Sequence, residues 1–280
     1  MDLKAHPFVK WAGGKARLVA KLQKVLPNRI ETYHEPFLGG GALFFALAST
    51  GRFKHAVLND ANAELINSYR IIASSCDELL EALRILDAEY HDAPKETYLR
   101  LRATKPGDPV AQAARLIFLN RTCFNGLYRV NKSGQFNVPF GSYVNPKIVD
   151  EPNLRACSEA LRRVTLVSKD FSEVLKEAKP GDGVYCDPPY VPLNHTAYFT
   201  SYTSEGFGPK DQERLATELG VLANYGVAVV ASNSDTEFVR KLYAGFEIHE
   251  VQMRRSINSK AGKRGPVSEL MLVGRTPQFI

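Results

Sequence analysis

Two short stretches carry residue types from which a reactive site can be built. The first is Asp187-Pro188-Pro189-Tyr190, directly after the strand-like run Gly183 to Cys186. Two prolines fix φ and remove two backbone donors, which leaves carbonyls pointing outward as acceptors. Asp187 adds a carboxylate and Tyr190 a ring. The set suits a planar base with an exocyclic amine: the carboxylate and the Pro188 carbonyl accept its two N–H bonds while the ring stacks on its face. Such an amine is a poor nucleophile, because its lone pair is delocalised into the ring. Acceptors aimed at its hydrogens favour the pyramidal form that attacks a methyl group. That is positioning plus electrostatic preorganisation, with no covalent enzyme intermediate. A proline-stiffened loop opened by an Asx turn is the plain alternative.

The second stretch is Phe37-x-Gly39-x-Gly41, followed nineteen residues after Gly41 by Asp60 at the end of the next strand-like run. In open α/β sheets ligands bind beyond the carboxyl ends of the strands, where glycine allows close backbone approach. A carboxylate at Asp60 can accept ribose hydroxyls. The dinucleotide fingerprint requires glycine at position 44, which is Phe44, and a phosphate loop requires Ser or Thr after Gly14-Lys15, where Ala16 stands. A nucleoside cofactor without a diphosphate, such as S-adenosylmethionine, fits better than NAD or ATP. A glycine turn that merely packs tightly remains open. The four cysteines are scattered singly and the six histidines likewise, which predicts reduced thiols and no metal.

Charge points to a polyanion. The net charge is +6, and the stretch Lys95 to Lys132 alone holds eight Lys/Arg against two acids. Segregated positive charge at a pI near 9.0 is the footprint of a nucleic-acid partner, with solvated helix faces as the bland reading.

These residues need a scaffold, and the chain reads as alternating strands and helices. Helical patterns fall at Arg17–Leu26, Ala42–Ser49 and around Leu65, Ile66, Tyr69 and Ile72; strand patterns fall at Thr32–Glu35, His55–Asp60, Thr165–Ser168, Gly183–Cys186, Gly226–Ala231, Phe246–Val251 and Glu269–Val273. Alternation predicts an α/β fold with a parallel sheet covered on both faces. The last two strands have no helix between them, which predicts a terminal antiparallel hairpin. Asp77 to Pro152 breaks the rhythm with helical patterns and then an aromatic, glycine-rich segment, Phe124 to Tyr143. It reads as a smaller inserted domain. No run is apolar enough to span a bilayer, and Met1-Asp2-Leu3-Lys4 opens no signal peptide, so a cytoplasmic protein is expected.

Lys10-Trp11-Ala12-Gly13-Gly14-Lys15, Glu35-Pro36-Phe37 with its glycines, Asp60 and Asp187-Pro188-Pro189-Tyr190 follow one another in an order that resembles the Dam-type, S-adenosylmethionine-dependent DNA N6-adenine methyltransferases. The resemblance spans nearly the whole chain and reaches Arg254-Arg255-Ser256-Ile257. It implies a class I methyltransferase sheet formed by residues 1–76 and 153–280, with a mostly helical DNA-recognition domain at 77–152. It implies that Trp11 and Lys15 help enclose the cofactor, Phe37 and Gly39 line its pocket, Asp60 holds the ribose, and Asp170-Phe171 lies beside the cofactor adenine. Asp187 would stand between cofactor and target amine, with Pro188 and Tyr190 completing the catalytic set.

Asn120 to Arg129, leading into Gly134 to Gly141, resembles the hairpin by which these enzymes read GATC. Arg129 suits guanine O6 and N7, and Leu127 and Pro139 can touch thymine methyls. Phe124, beside Asn125, would wedge into the stack vacated by a flipped adenine. Arg121 and Lys132 are candidates for phosphate contacts, and at least one of Phe124, Phe136 and Phe140 is expected to form a small hairpin core instead. The implied partner is duplex DNA, bound by a monomer in a bacterial or phage-infected cell. Methylation of another planar amine (cytosine N4, RNA adenine, protein glutamine) or a silent DNA-binding regulator stays open. The basic hairpin around Arg129 speaks against a protein glutamine, and the intact Asp60 and Asp187 speak against a silent regulator.

Overall fold

The computed structural model describes residues 4–191, 207–254 and 266–274; Arg255-Ser256-Ile257, the end of the last family-like motif, falls outside them. The alternating pattern resolves into one seven-stranded sheet of order β3-β2-β1-β4-β5-β7-β6. Its strands are β1 (Ile30–Glu35), β2 (Phe53–Asn59), β3 (Val164–Val167), β4 (Gly183–Cys186), β5 (Ala228–Ser234), β6 (Glu247–Arg254) and β7 (Pro266–Val273). Neighbours from β3 to β5 run parallel, while β7 lies antiparallel between β5 and β6. The expected sheet with its terminal hairpin is therefore present, and it is the class I methyltransferase sheet. β6 and β7 run several residues further toward each other than their apolar patterns indicate.

Strand alternation divides the core between the two faces. Tyr185, Val230, Val251 and Met271 join the cluster under the helices α1 (Val19–Val25), α2 (Ala42–Ala48) and α3 (Ala63–Ser74). Val184, Cys186, Val229, Ala231, Leu270 and Leu272 join the opposite cluster with α8 (Phe171–Leu175), α9 (Pro209–Asn224) and α10 (Glu237–Leu242). Strands buried on both faces read as near-continuous apolar runs, which is why these segments stood out.

Between β2 and β3 the chain adds α4 (Cys76–Asp92), α5 (Pro94–Ala103), α6 (Pro109–Thr122) and α7 (Glu151–Ala160). Asp108 caps α6, accepting from Ala111 N at 2.7 Å, and Pro109 occupies its first turn, where a missing N–H costs nothing. Residues 113–120 of α6 are buried throughout, so it is the axle of this region, packed against α3, α4 and α5. The apolar pattern marks α4 and α6 but not α5, whose short stripe is only Tyr98 and Leu101. Beyond α6 the chain forms a narrow hairpin held by isolated bridges, Cys123 to Phe140 and Val130 to Phe136. Its tip turns at Asn131–Gly134, where Gly134 has φ +72°. Among the described residues no helix is long and apolar enough to cross a membrane, and no His, Cys, Asp and Glu side chains group as metal ligands.

Candidate active site

The sheet order reverses between β1 and β4, so a crevice opens beyond their carboxyl ends. The loops after both strands enter it. After β1 come Phe37 and the glycines; Gly39 and Gly41 have φ of +48° and +67°. A Cβ on Gly39 would stand 2.8 Å from Trp11 Cδ1, and one on Gly41 would stand 2.8 Å from the Tyr69 hydroxyl. Glycine is thus required twice, by conformation and by space. Asp60, just past β2, binds this loop: its Oδ2 accepts from Gly39 N and its Oδ1 from Asn62 N, each at 2.9 Å. Burial raises the Asp60 pKa, and those two N–H groups oppose the rise. Phe37 meets Phe171 and Phe207 at 5.5 and 5.4 Å between ring centroids, forming an aromatic wall.

Asp170, expected beside the cofactor, caps α8 through Ser172 N and is held bidentately by Arg214 at 2.9 and 2.8 Å. The Arg214 guanidinium lies 4.2 Å over the Phe171 ring. No sequence motif marks Arg214.

Asp187 begins the loop after β4, and the ion pair it makes crosses the site. Lys15 Nζ lies 2.9 Å from Asp187 Oδ2, donates to Gly13 O at 2.6 Å and sits 4.6 Å over the Tyr190 ring. Lys15 is only 6% exposed, so the expected enclosing lysine is a buried partner of the expected catalytic acid. Burial pushes the Asp187 carboxyl up to about 6, with the Lys15 cation opposing and the Glu269 charge adding to the rise. Asp187 Oδ1 is buried without a hydrogen-bond partner among the described residues. Beneath it, Glu35 is fully enclosed; it accepts from the Tyr33 hydroxyl at 2.8 Å and from the Phe44 backbone N–H. Burial pushes Glu35 up to about 8, so it carries a proton at neutral pH.

The two prolines do not both face outward. The Pro189 carbonyl accepts from Gln212 Nε2 at 2.8 Å, and Gln212 Oε1 accepts from Asn233 Nδ2 at 2.9 Å. Ser234 Oγ donates to Val191 O at 2.8 Å. These buried groups of α9 and β5 fix the loop on which Asp187 and Tyr190 stand, and they were missed in the sequence.

Trp11 joins this crevice to the hairpin. Its ring packs over Gly39 on one side and stacks on Tyr128 at 5.1 Å on the other, and the Tyr128 hydroxyl donates to Glu64 at 3.1 Å. Asn120 reinforces the join, accepting from Lys10 N and donating to Lys10 O, both at 2.7 Å. Phe124 is 52% exposed on the hairpin, Asn125 takes a left-handed φ of +55°, and Pro139 and Arg129 are exposed. Leu127 is half-buried against the core. Arg129 is braced across the hairpin by Asn137, Nε to Oδ1 at 2.7 Å. Phe136 is buried, and Phe140 packs on Tyr98 at 5.2 Å. The hairpin core is therefore Phe136 and Phe140, not Phe124. Arg121 does not reach out as a phosphate contact would: its guanidinium turns inward and donates to Phe8 O at 2.9 Å. Lys132 is exposed at the tip.

Residues 11–257 match the family described as D12 class N6 adenine-specific DNA methyltransferase. The Type II methyltransferase M1.LlaDCHI of Lactococcus lactis is 43% identical over 95% of this chain and 94% of its own length. The Type II methyltransferase M.MjaIII of Methanocaldococcus jannaschii is 42% identical over 94% and 96%, and the DNA adenine methylase of Escherichia coli K12 is 36% identical over 96% and 95%. Of the substrates left open by the sequence, the match selects adenine in DNA, with S-adenosylmethionine as methyl donor. Sheet, motif order and relatives agree that this chain belongs to the D12 class of N6 adenine-specific DNA methyltransferases.

Proposed function

We propose that the enzyme acts on adenine within GATC in duplex DNA, turning the base out of the helix into the crevice beside Asp187. The observation that carries the chemistry of this reading is Asp187 Oδ1, a buried acceptor left without a partner among the described residues, next to the Tyr190 ring, while GATC rests on the resemblance of the hairpin at residues 120–141. Buried polar atoms are nearly always satisfied, so an open one at a strand end calls for an outside donor. In this reading Asp187 Oδ1 and the Pro188 carbonyl accept the two amine hydrogens and Tyr190 stacks on the base. Lys15, fixed on Oδ2, keeps the carboxylate ionised and oriented.

When bound, S-adenosylmethionine supplies an electrophilic methyl group. The glycine loop, the Trp11 ring over it and the aromatic wall of Phe37 and Phe171 fit a nucleoside, and the remaining lone pairs of Asp60 fit its ribose hydroxyls. Residues 77–152 serve as the target-recognition unit: Phe124 fills the vacated stack, Arg129 reads guanine, Leu127 and Pro139 touch thymine methyls, and Asn125 contacts the site beside them. One chain carries both chemistry and base reading, so we take the working unit to be a monomer.

The test is methylation-free plasmid incubated with the enzyme and S-adenosylmethionine, then cut with endonucleases that differ in sensitivity to GATC methylation. Protection confined to GATC supports the reading. Tritium incorporation without that protection would leave adenine methylation standing and remove GATC.

A further inference from the structure

Glu269 belongs to none of the family-like motifs, yet it reaches the centre of the site. It lies on β7, in register with Ser234 of β5 and Val251 of β6. Its Oε2 accepts the Tyr190 hydroxyl at 3.1 Å. That same hydroxyl lies within hydrogen-bonding reach of the Asp187 carboxylate, whose charged form such a bond favours, although its hydrogen points to Glu269. The phenol therefore stands between two carboxylates, and it has one hydrogen to give. With that hydrogen on Glu269, Asp187 Oδ1 has no partner among the described residues. Lys15 occupies the other Asp187 oxygen and covers the Tyr190 ring, so neither group is free to turn away.

We propose that Glu269 is a positioning residue that keeps the Tyr190 hydroxyl hydrogen off Asp187, so that Asp187 Oδ1 stays open for the adenine amine. The inference rests on Asp187 as the amine acceptor. Without Glu269 the nearest carboxylate for the phenol is Asp187, and the amine then meets an acceptor already in use. Glu269 thus acts only through Tyr190. Removing the Tyr190 hydroxyl makes Glu269 dispensable.

The experiment is single-turnover transfer of a tritiated methyl group to duplex DNA containing GATC. It uses saturating S-adenosylmethionine and DNA at about pH 8, above the Asp187 pKa. Four variants are compared with wild type: Glu269→Leu, Glu269→Gln, Tyr190→Phe and the double variant Tyr190→Phe/Glu269→Leu. Competing with an existing hydrogen bond is expected to slow Glu269→Leu about tenfold or more. Glu269→Gln, whose amide oxygen still accepts, should stay within about threefold of wild type. The double variant should recover to the rate of Tyr190→Phe alone, a rescue that a merely structural strand residue would not give. Should Glu269→Leu fail to fold, Glu269→Asp, one methylene short of the hydroxyl, carries the same comparison. A slow Asp variant rescued by Tyr190→Phe supports the proposal. A Glu269→Leu rate within about threefold of wild type overturns it, as does a double variant no faster than the single. Asp187→Ala run alongside separates the two layers. If it still transfers methyl, the amine-acceptor reading fails and takes this inference with it. If it is inactive while Glu269→Leu is normal, only the inference fails.

Discussion

Lys15 and Asp187 form the ion pair that joins the two ends of the motif set, at 2.9 Å and with Lys15 buried. The pair decides how the site responds to pH. Burial pushes the Asp187 carboxyl up and the Lys15 cation pulls it down, leaving it at about 6. On the proposed role, protonation puts a hydrogen where the amine's hydrogens must be accepted and removes the charge that strengthens those bonds, so single-turnover transfer should be full above that value and fall as pH drops through about 6. Lys15→Met removes the opposing cation, and the midpoint should then move to higher pH. A pH profile at saturating DNA and cofactor measures both. A Lys15→Met profile with an unmoved midpoint would show that the lysine does not set the acid's charge.

Asp187→Ala should abolish transfer while leaving DNA affinity within a small factor of wild type. In the proposed mechanism the acid works on the extruded amine, whereas affinity for duplex DNA comes mainly from phosphate contacts. Filter binding and tritium transfer on one preparation test this. Transfer within about tenfold of wild type would remove Asp187 from its role.

Gly39→Ala should weaken S-adenosylmethionine binding, since a left-handed alanine costs about 1–2 kcal/mol and drives the loop out of the shape that lines the proposed pocket. The added carbon would stand 2.8 Å from the Trp11 ring, so the ring must shift as well. Calorimetric titration with the cofactor reads the affinity. Because Trp11 also stacks on Tyr128 of the hairpin, discrimination between DNA sequences should fall in the same variant.

The parts of this fold that repeat along the chain were legible in the sequence. The sheet and its closing hairpin followed from alternating apolar runs, and the glycine and proline loops were found where strands end. The contacts that complete the site were not, because each joins single residues far apart in the chain. Gln212 sits in the apolar stripe of α9 among Leu215, Ala216 and Leu219, and Asn233 lies in a strand buried on both faces. A signal existed: β5 ends in Ser232, Asn233 and Ser234, all buried. Polar groups in such a strand are costly unless bonded, so their cluster marks the site end of the sheet. Arg121 misled for the opposite reason, since charge alone does not say whether a guanidinium faces solvent or a backbone carbonyl.

Glu35 makes stability depend on pH in the less common direction. Its folded pKa is raised to about 8 from an ordinary 4.5, so the folded state holds a proton that the unfolded chain has lost between those values. Stability is therefore full below the unfolded value and declines as pH rises through about 8. Each pH unit by which the carboxyl is held above its ordinary pKa costs about 1.4 kcal/mol to ionise. Glu35→Gln keeps an acceptor for Tyr33 and Phe44 and cannot ionise, so its denaturation midpoint should be flatter than wild type from about pH 5 to 8. Urea melts across that range compare them, and parallel curves would mean that Glu35 ionises without cost.

Arg129 gives the sharpest test of base reading. Two of its five N–H donors are engaged by Asn137, through Nε to Oδ1 at 2.7 Å and Nη2 to the backbone O at 3.0 Å. The brace leaves the outer edge of the guanidinium presented in a fixed direction, as bidentate contact with guanine O6 and N7 requires. Arg129→Ala should cost about 1–3 kcal/mol of discrimination and relax the requirement at one base pair while the rest of the site is still read. Asn137→Ala leaves the charge but loosens its aim, so it should relax the same position by a smaller amount. Lys132, exposed at the hairpin tip, should behave otherwise: Lys132→Ala weakens binding to every sequence and lowers the salt slope by about one. Duplexes carrying single substitutions in GATC, assayed with each variant, separate these outcomes. If Arg129→Ala lowers the rate on every duplex by one common factor, the guanidinium is a backbone contact or a hairpin support. The base-reading role would then pass to other residues of the hairpin.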